Sequence, residues 1–376
     1  MARILSGLNL ALLLALPAGS AVAAETWIPP LRVGDDNAWV QLYGQINPGF
    51  LVVDDGDSTL GYGPVDNGNS SSRFGVRLYV GIANGTFLGA NYEAQYDPYS
   101  TNYVNQLNRG DPDWDRYLTR KAEGYLNSEQ FGVLWVGQGS MASDGTAEVD
   151  LSGTDVIGYS SIADFAGGQL FALSGDGGLS EINVGSAFSN FDGLGRKVRV
   201  RYDTPSLAGF TLSGSYGTEM IPEDTGIDVW DVALRYAGEF GGFKVASAVA
   251  FSDTGSADRY DGSVSVLHLA TGISVTGAAG YDARDDGVNA QYLYGKLGYQ
   301  RSFFDVGATA FAVDAYNGDD IYTAGSESFS WGAFVVQNFD YYQSQVYLGV
   351  RSYQFENNDG NYDPLLAALT GVRVKF

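Results

Sequence analysis

Polar and apolar side chains alternate along most of this chain, most cleanly between Arg196 and Gly217. Lys197, Arg199 and Arg201 share one parity and Val198, Val200 and Tyr202 the other, which is the two-fold period of a strand with one charged face. A turn follows at Thr204-Pro205-Ser206-Leu207-Ala208. Beyond it Phe210, Leu212, Gly214 and Tyr216 face away from Thr211, Ser213 and Ser215. The same pattern predicts a first strand over Trp39 to Val53. Val40, Leu42, Ile46, Phe50 and Val52 form its apolar face, Gln41, Tyr43, Gln45 and Asn47 its polar face, and Pro48 marks an edge, bulge or break. Asp54 to Ser72 is expected to be a polar loop.

Arg73 to Ile82 continues the alternation, with Arg73, Arg77 and Tyr79 opposite Phe74, Val76, Leu78, Val80 and Ile82. Asn84-Gly85 is a strong hairpin signal. Thr86 to Tyr96 returns, with Asn91, Glu93 and Gln95 on the polar face. Further strands are expected at Tyr117 to Leu126, Phe131 to Gln138, Trp230 to Tyr236 (Asp231 and Arg235 on the polar face) and Phe243 to Phe251. The series continues through Ser263 to Leu269, Ile273 to Tyr281, Ala290 to Gly298, Phe304 to Asp314, Phe329 to Gln337, Gln345 to Tyr353 and Ala368 to Phe376. Lys121 and Glu123 break the pattern by falling on the apolar parity. About sixteen strands result, with long and short connections in turn. Periodicity alone does not say whether the apolar face meets a core or lipid.

The N-terminus bears on that question. Residues 1–24 carry one basic residue, Arg3, an apolar run from Ile4 to Leu16 and small-residue sites at Ala21-Val22-Ala23 and Val22-Ala23-Ala24. They read as a secretory signal peptide. No later stretch offers the roughly 18 uninterrupted apolar residues of a spanning helix. A membrane form of this chain is therefore a barrel. Residues 25–38 lead into it and 39–376 make the barrel domain.

Composition agrees. The 376 residues include 51 Gly, 25 Tyr and 20 Phe, which suit strands, turns and interface girdles better than helices. There is no cysteine, which excludes disulfides, thiolate metal sites and thiol catalysis. The net charge of −23 opposes nucleic-acid binding and attracts cations. Acidic pairs such as Asp54-Asp55, Asp285-Asp286 and Asp319-Asp320 offer divalent cations a foothold beside lipopolysaccharide, although loop solubility explains them more simply. No other cofactor is implied. His268 is the only histidine, and SVSVLHLA places no acid or nucleophile beside it.

The Arg196 to Gly217 stretch resembles the R-x-R-Y-D-T-P-S-x-A-G-F hairpin of Gram-negative general porins, in particular the alphaproteobacterial-type trimeric porins. SSRFGVRLYVG, LGYQRSFFDVGATAFAVD, WGAFVVQNFD with QVYLGVRSY, and the closing GVRVKF are similar to other strands of that family, in the same order. The resemblance implies an all-β fold: a transmembrane antiparallel barrel of 16 strands in the outer membrane, assembled as a homotrimer among lipid and lipopolysaccharide. It also implies passive diffusion of ions and small hydrophilic solutes, with no enzymatic activity. Residues 138–195, the longest stretch without clear strand pairs, correspond by position to the family's inward-folded constriction loop. Asp144, Glu148, Asp150 and Asp155 are then expected opposite a wall cluster of Arg73, Arg77, Arg120, Lys197, Arg199 and Arg201. Gln138 stands where the family carries an arginine, so the basic cluster is expected to be weaker than the family norm. The terminal Phe376 resembles the signal read by the barrel-insertion machinery. Three other readings stay open: a solute-selective channel with a saturable site, an outer-membrane hydrolase using His268, and a plugged structural barrel.

Overall fold

The computed structural model describes residues 26–83, 85–175, 178–221 and 226–376. The signal-peptide reading of residues 1–24 and Asn84 of the predicted turn lie outside the described residues. Sixteen antiparallel strands close into one barrel. Its first strand is Ala38–Ile46 continued, after a break at Asn47, by Pro48–Asp54. The first half pairs with Arg73–Ala83, and the second half pairs with the last strand, Leu365–Lys375, which closes the sheet. The break falls beside Pro48, which has no N–H to give a ladder.

Each strand carries the alternation through. On the first strand Val40, Leu42, Ile46, Phe50 and Val52 are exposed, whereas Gln45 and Asn47 are buried. Val200, Tyr202, Phe210, Leu212 and Tyr216 point outward while Arg199 is buried. A closed barrel with large apolar residues outside and polar residues inside inverts the soluble arrangement, and matches a wall whose outer solvent is lipid. Among the described residues no helix is long and apolar enough to cross a membrane, which leaves crossing by strands untouched.

Four local expectations change. The polar loop predicted over Asp54 to Ser72 contains a strand, Thr59–Asp66, and a short 3-10 turn, Gly68–Ser70. The strand pairs with Pro48–Asp54 and buries Tyr62 and Val65, and its Gly and Pro residues had masked it. The parity conflict at Lys121 and Glu123 is resolved by a bulge: Glu93 pairs with Lys121 but Ala94 with Thr119, so Arg120 is an extra residue. After it the parity flips, and Glu123 is buried on the polar face. The strand expected to start at Phe304 instead begins at Gly307, because the preceding strand, Asn289–Phe304, runs long. Finally, the lead segment contributes a strand, Leu31–Gly34, which covers the edge of the first strand at Trp39 to Leu42, beyond the end of the last strand.

At one end of the barrel every connection is short, and the long ones lie at the other. By far the longest joins the fifth strand, Gly132–Ser140, to the sixth, Arg196–Asp203. Within it lie a 3-10 turn, Ile162–Phe165, a small hairpin, Leu170–Ala172 with Leu179–Asn183, and one helical turn, Val184–Ala187, capped by Asn183.

Candidate functional site

The connection 141–195 is held by side chains from the polar face of the wall. Near its start, Arg235 donates to the carbonyls of Ala142 (2.6 Å) and Asp144 (2.9 Å), and Asp231 accepts from the Ser143 N–H at 2.7 Å. Farther on, the Val149 and Leu151 N–H groups donate to Ser263 and Ser265, both at 2.9 Å, and Asp261 accepts from Thr146. Lys296 donates to Asp150 and to the Gly158 carbonyl, each at 2.6 Å. Tyr353 and Tyr316 donate to the Ile162 and Ser189 carbonyls, each at 2.7 Å, and Asn67 donates to the Val156 carbonyl at 2.8 Å. These groups come from the eighth, tenth, twelfth, thirteenth and fifteenth strands and, for Asn67, from the connection between the first and second.

Apolar packing reinforces the bonds. Val156, Ile157, Phe165, Phe171 and Phe188 of the connection share a buried cluster with Tyr316, Phe334, Tyr353 and Phe355 of the wall. Gly158 must be glycine, since a Cβ there would meet the Phe334 ring at 2.5 Å. The connection therefore satisfies its backbone groups through the wall and through its own turns.

Four of the six predicted wall cations are engaged by wall acids. Arg120 binds Glu93 at 2.8 Å and also donates to Gln95, Arg199 binds Glu123 at 2.5 Å, Arg201 binds Asp203 at 2.8 Å, and Lys197 binds Glu219. The other two have neutral partners: Arg73 donates to Ser70 at 3.3 Å, and Arg77 lies 4.0 Å from the centre of the Tyr43 ring. Gln138 is buried and pairs with Val198, on the parity opposite Arg199.

The predicted acids take partners other than the six predicted cations. Asp144 approaches Arg196 at 3.9 Å, one residue before the predicted run, and Asp150 binds Lys296. Glu148 accepts from Asn190 at 3.0 Å, and Asp155 is exposed. None of these four lies within 4 Å of the six predicted cations. Sequence reasoning missed Arg196, Lys296, Asp164 and Asp192; for Lys296 the available signal was a lysine on the polar parity of a strand.

The connection concentrates carboxyl groups in a poorly hydrated place. Burial, with the nearby charges of Asp192 and Asp164, pushes Glu148 well above the usual carboxylate range. Burial, with Asp144 and Asp261, pushes Asp192 up to about 8, although it accepts from the Gly145 and Ala147 N–H groups. Burial also acts against ionisation of Asp144, yet Arg196 and Ser140 hold it below its ordinary value. Asp192 is thus poised to hold a proton at neutral pH while Asp144 is ionised.

Among the described residues no group of three or more histidine or acidic side chains is arranged to hold a metal ion. His268 is bonded to Thr271 in a short connection, with the Phe243 ring 4.7 Å away. Among the described residues no carboxylate is hydrogen-bonded to the His268 ring, so the imidazole–hydroxyl contact lacks the orienting acid of a catalytic triad.

Comparison with known proteins places this geometry. The chain resembles the anion-selective porin of Comamonas acidovorans, with 16% identity over 90% of this chain and 100% of that one, at a TM-score of 0.59. It is similar to OmpT of Vibrio cholerae, with 14% identity over 92% and 100% at 0.59, and to OmpF of Salmonella typhi, with 12% over 92% and 100% at 0.57. No curated protein matches it. The family model described as Gram-negative porin matches residues 10–360, and with the closed barrel this establishes that the chain belongs to the Gram-negative porins, outer-membrane channels for passive solute diffusion.

Proposed function

We propose that the protein is an open diffusion pore, assembled as a homotrimer among lipid and lipopolysaccharide, in which residues 141–195 fold into the lumen and set its cross-section. The observation that carries this reading is the anchoring of that connection to polar-face groups far around the barrel, above all the bond of Asp150 to Lys296. A segment tied to the lumen face of so many strands occupies lumen volume. Its carboxyl groups and the wall cations then flank the remaining aperture, so ion preference follows their balance.

The pore acts as a channel and not as an enzyme, and it works without a cofactor; acidic loops bind divalent cations only loosely. Among the similar structures, one of OmpT from Vibrio cholerae is described as a trimer form, which supports the homotrimer. Liposome swelling tests the proposal. Reconstituted protein should admit small sugars at rates that fall with solute size, and deleting residues 146–190 should raise the size limit. An unchanged limit after deletion would take the connection out of the aperture.

A further inference from the structure

A row of aromatic rings crosses the polar face near the short-turn end of the first five strands. Trp39 stacks on Tyr79 with centroids 5.3 Å apart and 3° between planes. Tyr79 meets Phe87 at 4.6 Å, Phe87 meets Tyr125 edge-on at 6.1 Å, and Tyr125 lies 4.4 Å from Trp135. The strand register puts all five on one face: Trp39 pairs with Tyr79, Gly81 with Phe87, Gly89 with Tyr125, and Tyr125 with Trp135. This is the face opposite Leu78, Leu88, Leu126 and Leu134, which are exposed on the outside. Anchoring in lipid, the usual task of barrel aromatics, does not account for them.

The row has a closed end and an open end. Tyr125 lies across Gly89, where a side chain would displace it, and both Tyr125 and Trp135 are buried. Trp39, Tyr79 and Phe87 are only half-buried, so ring surface stays accessible there. Two residues before Tyr79 on the same face, roughly 7 Å along the strand, is the exposed Arg77. Among the described residues no carboxylate lies within 4 Å of it; its guanidinium rests over Tyr43. Nearby acids are occupied: Glu93 by Arg120 and Tyr43, Glu123 by Arg199 and Asn91. An apolar shelf therefore ends at an uncompensated cation.

We propose that this shelf is a binding site for solutes that carry a flat ring and a carboxylate, the ring lying on Tyr79 and Phe87 and the carboxylate meeting Arg77. It rests on the reading of the protein as a diffusion pore and adds a substrate class to it. Ring stacking supplies affinity, and the guanidinium selects the charge.

The test uses purified full-length protein in planar bilayers with sodium benzoate as probe. Benzoate should interrupt the current in a concentration-dependent way. Acetate, which lacks the ring, and benzylammonium, which reverses the charge, should be at least about tenfold weaker. Tyr79→Leu should weaken the benzoate block about tenfold relative to that variant's own conductance, while Tyr79→Phe retains it. Benzoate no better than acetate in a conducting channel, or a block unchanged by Tyr79→Leu, overturns the site. If the protein inserts without carrying current, the pore reading fails and calorimetry on the detergent-solubilised protein decides the site. Benzoate heat that is lost in Tyr79→Leu and kept in Tyr79→Phe supports it, and no heat with the unaltered protein overturns it.

Discussion

Replacing Lys296 with methionine isolates the bond on which the aperture depends. The Lys296 side chain is 0% exposed and Asp150 4%, and the ammonium also donates to the Gly158 carbonyl. Methionine keeps most of the volume and removes the charge, leaving Asp150 with the Ser152 N–H at 2.7 Å as its remaining partner. Breaking a buried pair costs about 3–5 kcal/mol. The Ser152 bond persists in both proteins and places the loss at the lower end of that range, and about 3 kcal/mol is a factor of about 150 in the anchored-to-released ratio. Ser263, Ser265, Asn67 and Tyr353 still hold Val149, Leu151, Val156 and Ile162, which confines the release to the Asp150 side chain, residues 152–155 and Gly158. Single-channel recording should show larger, noisier open currents for Lys296→Met than for the unaltered protein. The double variant Asp150→Leu with Lys296→Met should recover most of the quiet current, since neither charge is then left alone. Equal noise and conductance in all three proteins would refute the reasoning.

Other consequences can be measured independently. Arg77→Gln removes a cation without an acidic partner, so reversal potentials under a salt gradient should shift toward cations with little loss of stability; no shift removes Arg77 from the permeation path. Arg199→Gln should behave differently, because it strands the buried Glu123: refolding yield should drop, with about 3–5 kcal/mol lost in denaturant titration, and a change below roughly 1 kcal/mol would contradict the pairing. Asp192, held at about 8, is protonated at neutral pH and ionises as pH rises through that value, so cation preference should increase between pH 6 and 9. Because its folded value lies above its unfolded one, its contribution to stability is fully present below the ordinary carboxylate range and declines as pH rises toward 8; Asp192→Asn should flatten both profiles, and identical profiles would count against it. A Gly44→Val change should impair assembly, since a Cβ there would meet the Phe376 ring at 2.6 Å; normal heat-modifiable trimer on gels would contradict this.

The alternation at Val198, Val200 and Tyr202 was legible because a lipid-facing position tolerates few polar residues, so each such strand records its own inside and outside. The bulge at Arg120 was not, since an inserted residue flips parity without changing local composition, and only the pairing partner Glu93 exposes it. Thr59–Asp66 was hidden by its Gly and Pro residues, although Tyr62 and Val65 provide its burial. Partnerships of the long connection were least legible. Apolar residues such as Ile157 and Phe165 bury it against the wall, but Asp150 finds Lys296 only because the barrel curls the twelfth strand around to meet it. The wall cations show in the sequence as a shared parity along their strands, while their pairing with wall acids depends on cross-strand register that a single strand does not carry.

Conductance of purified protein in a planar bilayer, read together with limited proteolysis, tests the account most directly. Large ohmic steps arriving in threes, linear in salt concentration, are expected, with residues 141–195 protected from protease in the folded protein. Insertion without current, or cleavage of that connection at the rate of an exposed loop, would contradict an open pore narrowed by its own chain.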